Sequence, residues 1–178
     1  LELGSLEGAH TFALAKLAGV ESVMGLEGRD QNLEKAAFVQ NLLQITNVTF
    51  KKANFERDLL TSFGTFDAVF CVGVLYHLPN PWFLVEQIAH IAPRLFLWTH
   101  YSPDKNANKV IEGFRGRQYK EFGLRDPLSG LSAWSFWLTY DSLLDMLRQF
   151  GFEHIQVLHD DRTHRHGSSI TLTAEKRQ

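Results

Sequence analysis

Two histidines that follow long apolar runs are the candidates for acid–base chemistry. Tyr76 and His77 close the run "FDAVFCVGVLYH", and Trp98, His100 and Tyr101 close "RLFLWTHY". An imidazole with a pKa near 6.5 can take a proton from a hydroxyl or an amine at neutral pH. The carboxyl ends of neighbouring parallel strands meet where open α/β sheets bind ligands, so these side chains predict one pocket. The alternative interpretation is core packing around hydrogen-bonded histidines.

A short loop rich in glycine and acid stands at the start of the chain. In "LELGSLEGAH" the residues Glu2, Gly4 and Gly8 resemble the end of a first strand and the turn into a first helix of a nucleotide-type fold. Leu6 replaces the middle glycine that a pyrophosphate loop needs, and Glu7 adds a negative charge. No Gly-Lys-Ser/Thr follows, which excludes a Walker A loop. The loop therefore favours a nucleotide-like ligand without phosphate.

Strand-like and helix-like segments alternate in units of about 25 residues, which is typical of an α/β domain with a parallel sheet. Only Leu1 precedes Glu2, so we expect the chain to begin within its first strand. Asp30 is the expected cap of the second helix. The further expected strands are 22–27, 48–55, 66–78 and 94–101, and the expected helices are 12–20, 30–45, 81–92 and 140–152.

The expected architecture is a Rossmann-like, mostly parallel sheet with helices on both faces and a C-terminal antiparallel hairpin. The hairpin strands are 154–161 and 168–176, joined by the polar turn "RTHRHG". Residues 102–139 show no clear period, and we expect them to be an insertion or lid over the acceptor site. The whole chain, 1–178, is interpreted as a single domain.

Composition limits the classes of partner. The 178 residues are 44% hydrophobic with a net charge of −2, which gives no global attraction to nucleic acid or acidic membranes. Residues 104–126 hold six basic and four acidic side chains, enough to steer one phosphate-bearing substrate. The lone cysteine, Cys71, excludes an internal disulfide and indicates a reducing, cytoplasmic setting. No apolar run suits a membrane span. The segment "HDDRTHRHG" matches no metal-ligand spacing, so no metal is expected.

These motifs together resemble the class I S-adenosylmethionine-dependent methyltransferases over nearly all of the chain. "ELGSLEG" is similar to the family motif acid-x-Gly-x-Gly-x-Gly, apart from Leu6, and the resemblance implies S-adenosylmethionine as cofactor. It implies ribose contacts at Glu27 in "GLEGRD" and adenine contacts at Asn54 and Phe55 in "ANFE". The cofactor-binding residues implied are Glu2, Gly4, Ser5, Gly8, Glu27, Gly28, Asn54, Phe55, Cys71 and Gly73. The segment "GVLYH" and the Gly-Phe after the last helix are also similar to the tRNA wobble-uridine carboxymethyltransferases.

The resemblance implies in-line methyl transfer to a small-molecule or modified tRNA-base acceptor. Such a reaction mainly needs orientation of its reactants, which agrees with the absence of a conspicuous catalytic triad. His77 or His100 is the expected base for a hydroxyl or amine acceptor. Tyr76 is the third catalytic candidate, as a wall of the methyl pocket. A non-catalytic binding or assembly module is the alternative, and the loop disfavours a nicotinamide-dependent oxidoreductase. The sequence predicts neither the acceptor nor the oligomeric state.

Overall fold

The computed structural model describes residues 1–177, which divide into two compact units. The first unit is Leu1–Asp58, and the second begins at Leu59. None of the helices in residues 1–177 has the length and apolar character needed to cross a membrane.

The first unit is a three-stranded parallel sheet with two helices. The elements are β1 (Glu2–Leu3), α1 (Ala9–Leu14), β2 (Val23–Glu27), α2 (Asp30–Leu43) and β3 (Val48–Lys52). Its strands lie in the order β3-β2-β1. A core cluster contains Phe12 of α1 with Val23 of β2 and Val48 of β3. The edge of the Phe12 ring packs on Phe50, with 5.5 Å between the ring centroids.

Both helices of this unit differ in detail from the prediction. The helix α1 begins earlier than expected and ends at Leu14, because the next turn tightens into bonds from Lys16 to Ala13 and from Leu17 to Leu14. Asp30 is not the cap of α2. It is the first helical residue, and its carboxylate accepts a bond from Lys52 at 2.6 Å, while Arg29 is the N-cap.

The second unit contains two sheets. The larger sheet comprises β4 (Val69–Val72), β5 (Arg94–His100), β9 (Phe152–Asp161) and β10 (Ser169–Lys176). The smaller sheet comprises β6 (Lys109–Ile111), β7 (Phe114–Lys120) and β8 (Trp134–Leu138). The strand order is β4-β5-β10-β9 in the larger sheet and β6-β7-β8 in the smaller one. The helices are α3 (Pro81–Ile91) and α4 (Tyr140–Gln149).

The predicted strand 66–78 is too long. The strand β4 ends at Val72 because Gly73 takes a left-handed conformation with φ 78°, and a 3₁₀ turn, Leu75–His77, follows. The predicted strand 48–55 likewise stops at Lys52. The region 102–139, in which the sequence shows no clear period, contains the antiparallel sheet β6-β7-β8.

The pairing of the main strands confirms the predicted fold class. The pairs β1–β2, β2–β3 and β4–β5 are parallel. The final strands β9 and β10 are antiparallel to one another, and β10 is antiparallel to β5. This is the Rossmann-like α/β arrangement with a mostly parallel sheet and a C-terminal hairpin. The core of the second unit includes fully buried Leu84, Ile88, Leu97, Met146 and Leu172.

Candidate functional site

The loop between β1 and α1 takes the backbone path of a glycine motif even where it lacks glycine. Gly4, Leu6 and Gly8 all have left-handed φ angles, of 71°, 46° and 89°. Leu6 therefore adopts the conformation that the missing glycine would favour. A Cβ added to Gly8 would lie 2.7 Å from the rings of Phe12 and Phe50, so this position also needs glycine for space.

Glu27, the last residue of β2, binds the backbone of this loop through its carboxylate. Its carboxylate is buried, with the residue 5% exposed, and it accepts bonds at 2.9 Å from the backbone N–H groups of Leu6 and Arg29. Each oxygen accepts one of these bonds. A carboxylate offers about four acceptor positions, so both oxygens keep a lone pair for a ligand. Gly28, between Glu27 and Arg29, is half-buried.

Glu2 and Ser5 play different parts in the same loop. Glu2 is buried and accepts a bond from the Thr11 hydroxyl, and His10 lies 3.5 Å from its other oxygen. Burial raises the pKa of Glu2, partly offset by the contacts with Thr11 and His10. Glu2 therefore ties β1 to the start of α1. The buried Ser5 hydroxyl has no hydrogen-bond partner within residues 1–177, which makes it an orphaned polar atom in the loop.

Asn54 and Phe55 follow β3 in a turn instead of a strand. The Asn54 side-chain oxygen accepts a bond from the Glu56 N–H at 2.9 Å, and the Asn54 N–H donates to Asp58 at 2.8 Å. Phe55 is 8% exposed. The turn is thus held by its own polar groups, and the Asn54 oxygen keeps one acceptor position.

Cys71 and Gly73 belong to the second unit. Cys71 is buried in β4, and burial raises the pKa of its thiol to about 12, so the thiol stays protonated. Gly73 ends the strand and donates to the Trp98 carbonyl at 3.2 Å. The turn that it starts carries Tyr76 and His77.

His77 forms a pair with a carboxylate that the sequence did not indicate. Its Nδ1 lies 3.1 and 3.2 Å from the two carboxylate oxygens of Glu121, which follows β7 directly. The His77 side chain is 21% exposed and the Glu121 side chain 4% exposed. A carboxylate in this position orients the ring.

The surroundings of Glu121 keep it charged. Burial acts to raise the pKa of Glu121, but bonds from His77, Ser129 and the Gly130 N–H lower it to about 2. The Ser135 hydroxyl donates a further bond at 2.8 Å. The hairpin β7–β8 brings these donors together.

The sequence offered one signal for Glu121, an acidic residue directly after a segment of strand length. That segment lies within a region that showed no period.

Tyr76 and His100, the other two residues expected to be catalytic, lie beside His77 in one aromatic cluster. The Tyr76 ring lies 4.1 Å from that of His77, 4.7 Å from that of His100 and 5.9 Å from that of Trp98. His100 also stacks on Trp137, with 5.2 Å between centroids. The structure therefore brings these three residues together in one cluster.

The protonation of these neighbours follows from their partners. The His100 Nδ1 donates to the carbonyls of Gly167 at 2.9 Å and Ser168 at 3.2 Å, and burial lowers the pKa of this histidine. Its Nε2 therefore carries the lone pair. Burial, helped by the charge of Glu121, raises the pKa of Tyr76 to about 12, so the phenol stays protonated at neutral pH.

One expected member of the pocket lies elsewhere. The Tyr101 hydroxyl donates to Asp160 at 2.6 Å, and its ring packs on Tyr140. Successive side chains of a strand point to opposite faces of the sheet, so Tyr101 lies on the face opposite to His100. A small cavity touches the cluster at Tyr76 and His100. Its remaining lining residues are Leu75, Pro81, Thr99, Phe136, Leu138 and Leu143.

The histidine-rich turn forms no metal centre in the part of the chain described. No group of three or more His, Cys, Asp or Glu side chains within residues 1–177 is arranged to hold a metal ion. His164 instead extends the aromatic cluster, 5.0 Å from the ring of His100.

Comparisons with known proteins agree with the loop and the fold. A family model described as a methyltransferase domain matches residues 1–93. The structure is similar to the N-terminal domain of EvdMO1 crystallised in the presence of SAH and D-fucose. The two are 38% identical with a TM-score of 0.91, over 99% of this chain and 75% of that one. No curated protein matched this chain.

Two further structures show the extent of the similarity. The chain is 34% identical to a longer EvdMO1 structure, with a TM-score of 0.78. This match extends over 99% of the present chain but only 36% of the other. It thus spans about a third of that protein. It is also similar in fold to the magnesium protoporphyrin IX methyltransferase of Synechocystis PCC 6803 with bound SAM. That pair is 20% identical, with a TM-score of 0.63 over 99% of this chain and 68% of the other.

Proposed function

Because this chain belongs to the class I S-adenosylmethionine-dependent methyltransferases, we propose that it methylates a hydroxyl oxygen of a small, sugar-like acceptor with His77 as the base. The pairing of His77 with a buried, charged Glu121 carries the proposal. An acceptor that is already a carboxylate or a carbanion would need no such base.

The loop of the first unit fits the cofactor. S-adenosylmethionine has no phosphate, and when bound it supplies a methyl group activated by the sulfonium. The orphaned Ser5 hydroxyl suits its polar amino-acid end, and the spare lone pairs of Glu27 suit its two ribose hydroxyls. Asn54 and Phe55 at the adenine, and Cys71 and Gly73 beside the ligand, stay predictions from the resemblance.

Glu121 determines which nitrogen of His77 acts as the base. Because Glu121 is ionised, it only accepts hydrogen bonds, so Nδ1 of His77 carries a proton and donates. The lone pair of the neutral ring is then on Nε2. As the acceptor oxygen takes the methyl group, whose bond to sulfur would break to leave S-adenosylhomocysteine, the proton of that oxygen would pass to Nε2. The imidazolium that results is stabilised by the carboxylate on its other side.

A sugar-like acceptor is supported by two observations. The EvdMO1 domain, 38% identical, was crystallised with D-fucose. The rings of Tyr76, Trp98 and Trp137 meet around His77 and His100, and flat aromatic surfaces with few polar groups are typical of small-ligand pockets. We further propose that region 102–139, which supplies Glu121 and Trp137, covers this pocket. The similarity to tRNA-modifying enzymes stays a prediction.

The test is turnover of D-fucose, measured as S-adenosylhomocysteine formed, by the parent protein and His77→Gln. Loss of the base is expected to lower kcat by roughly a hundredfold or more with little change in cofactor affinity by calorimetry. The exposed His154→Gln is the matched control and is expected to behave like the parent. Equal turnover by His77→Gln would remove its role as base. A protein that binds the cofactor but methylates no sugar would contradict the acceptor class, and the non-catalytic module would then be favoured.

A further inference from the structure

A second polar feature lies on the hairpin β7–β8 and has no role in the proton transfer. Arg117 of β7 is directly opposite Trp137 of β8 in the antiparallel register. Side chains at opposed positions share one face of the sheet and lie close together. Each carries a buried N–H donor for which residues 1–177 provide no acceptor.

Arg117 is partly buried and forms no ion pair with an acidic side chain of the described residues, 1–177. Its guanidinium carbon lies 5.1 Å from the centre of the Trp137 ring and 5.4 Å from that of Tyr119. Its Nε is buried and makes no hydrogen bond within residues 1–177. By contrast, its neighbour Arg115 donates to Asp104 at 3.1 Å. Contacts with ring faces hold the guanidinium in position but satisfy none of its donors in the plane.

Trp137 supplies the second donor. The residue is 4% exposed, and its indole Nε1 has no hydrogen-bond partner in the described chain. A buried indole N–H normally has a partner. The ring cannot turn to find one, because it is stacked on His100 at 5.2 Å and on Tyr119 at 4.6 Å. A Cβ added to Gly167 would lie 2.9 Å from the same ring, so the backbone packs against it as well.

We propose that Arg117 and the Trp137 indole bind an anionic oxygen group of the acceptor, a carboxylate or a phosphate. A guanidinium and an indole N–H are both donors without acceptor capacity, so the group they share must supply lone pairs. A negatively charged oxygen group matches the positive charge of Arg117. The Tyr76 ring is 5.8 Å from that of Trp137 and 4.1 Å from that of His77. The anion subsite therefore belongs to the same cluster as the proposed base.

The binding part of this inference can be tested without turnover. The chain has four tryptophans, so the ¹⁵N spectrum of the indoles has four signals, and Trp137→Phe assigns one of them. Titration with inorganic phosphate or acetate is expected to shift the Trp137 signal to saturation, and titration with neutral acetamide is expected not to. Tighter binding of phosphate than of acetate assigns a phosphate, and the reverse order assigns a carboxylate.

Substitution of the arginines provides the control. Arg117→Gln is expected to lower the affinity for the anion at least tenfold. Arg115→Gln is expected to bind the anion with the affinity of the parent. Unchanged titration by Arg117→Gln, or an equal response to acetamide, would overturn the subsite. Arg117→Gln is also expected to keep the parent affinity for S-adenosylhomocysteine. A tenfold loss of that affinity would assign Arg117 to the carboxylate of the cofactor and overturn the acceptor subsite.

The substrate class rests on the proposed function and has its own measurement. D-galacturonate and D-galactose 6-phosphate each add an anionic group to a neutral hexose. One of them is expected to have at least a tenfold higher kcat/KM than D-galactose, with the advantage lost in Arg117→Gln. Equal efficiency for the neutral sugar would contradict an anionic acceptor. Failure of the His77 test would leave the titrations unaffected, so the two proposals fail separately.

Discussion

Glu121 holds the Nδ1 of His77 with both carboxylate oxygens, at 3.1 and 3.2 Å, across 44 residues of chain. Three other donors, from Ser129, Gly130 and Ser135, complete the shell around the carboxylate. The pair therefore orients the imidazole of His77. The predictions below follow from this pair and from the cofactor loop.

Glu121 is expected to make folding stability depend on pH in the acid range. Its pKa falls from 4.5 to about 2 on folding, so its stabilisation is complete above pH 5 and is lost as the pH falls toward 2. Full loss corresponds to about 3 kcal/mol. Urea unfolding should therefore show Glu121→Gln less stable than the parent at pH 6, with the gap narrowing toward pH 2.5. The exposed Glu86→Gln is the control; a gap that is the same at all pH values would contradict the prediction.

Gly130 is expected to tolerate no side chain, because its backbone packs against His77. A Cβ there would lie 2.4 Å from the His77 carbonyl oxygen and 3.2 Å from its Cβ. Gly130→Ala should cost about 1–3 kcal/mol of unfolding free energy, as overpacking does, and should shift the His77 ring signals in NMR spectra. Ser129→Ala removes one bond to Glu121 without this clash and should disturb those signals less. An alanine variant with parent stability and an unmoved His77 would show that the turn can adjust.

Glu27 is expected to contribute both to the shape of the loop and to cofactor affinity. In Glu27→Gln only one oxygen remains to accept from the Leu6 and Arg29 N–H groups, and the charge is lost. Calorimetry with S-adenosylhomocysteine should show an affinity at least tenfold lower, since bonds to a charged group are worth about 1.5–3 kcal/mol. The exposed Glu34→Gln should bind like the parent. Unchanged affinity in Glu27→Gln would exclude the ribose role.

His100 is expected to be neutral at pH 7 with its proton on Nδ1. Burial lowers its pKa below the usual 6.5, and the carbonyls of Gly167 and Ser168 accept the Nδ1 proton. A histidine whose pKa is lower in the folded than in the unfolded protein lowers the free energy of unfolding as the pH falls below 6.5. The stability of His100→Asn should therefore decrease less than that of the parent in mild acid. Long-range ¹H–¹⁵N spectra of the ring nitrogens measure the tautomer directly. A protonated ring at pH 7 would refute this assignment.

The sequence predicted most of the fold because its elements have local signatures. Apolar runs separated by helical periods indicated the strands and helices, and the hairpin 154–176 was found with almost its observed bounds. The predicted strand boundaries were wrong where a single residue changes the backbone conformation. The apolar run 66–78 contains a left-handed Gly73, which ends β4 although hydrophobicity continues.

The sequence by itself determined the family, the cofactor class and the loop that resembles a glycine motif, since these depend on residue types at short spacing. It could not indicate that Leu6 would keep the glycine conformation, with φ 46°. Only the tertiary structure decided which distant groups meet: Glu121 with His77, and Arg117 with Trp137. It also directed Tyr101 away to Asp160. The physical reason is that strand register and a hairpin inside a region without period bring these side chains together, and neither is encoded in local spacing.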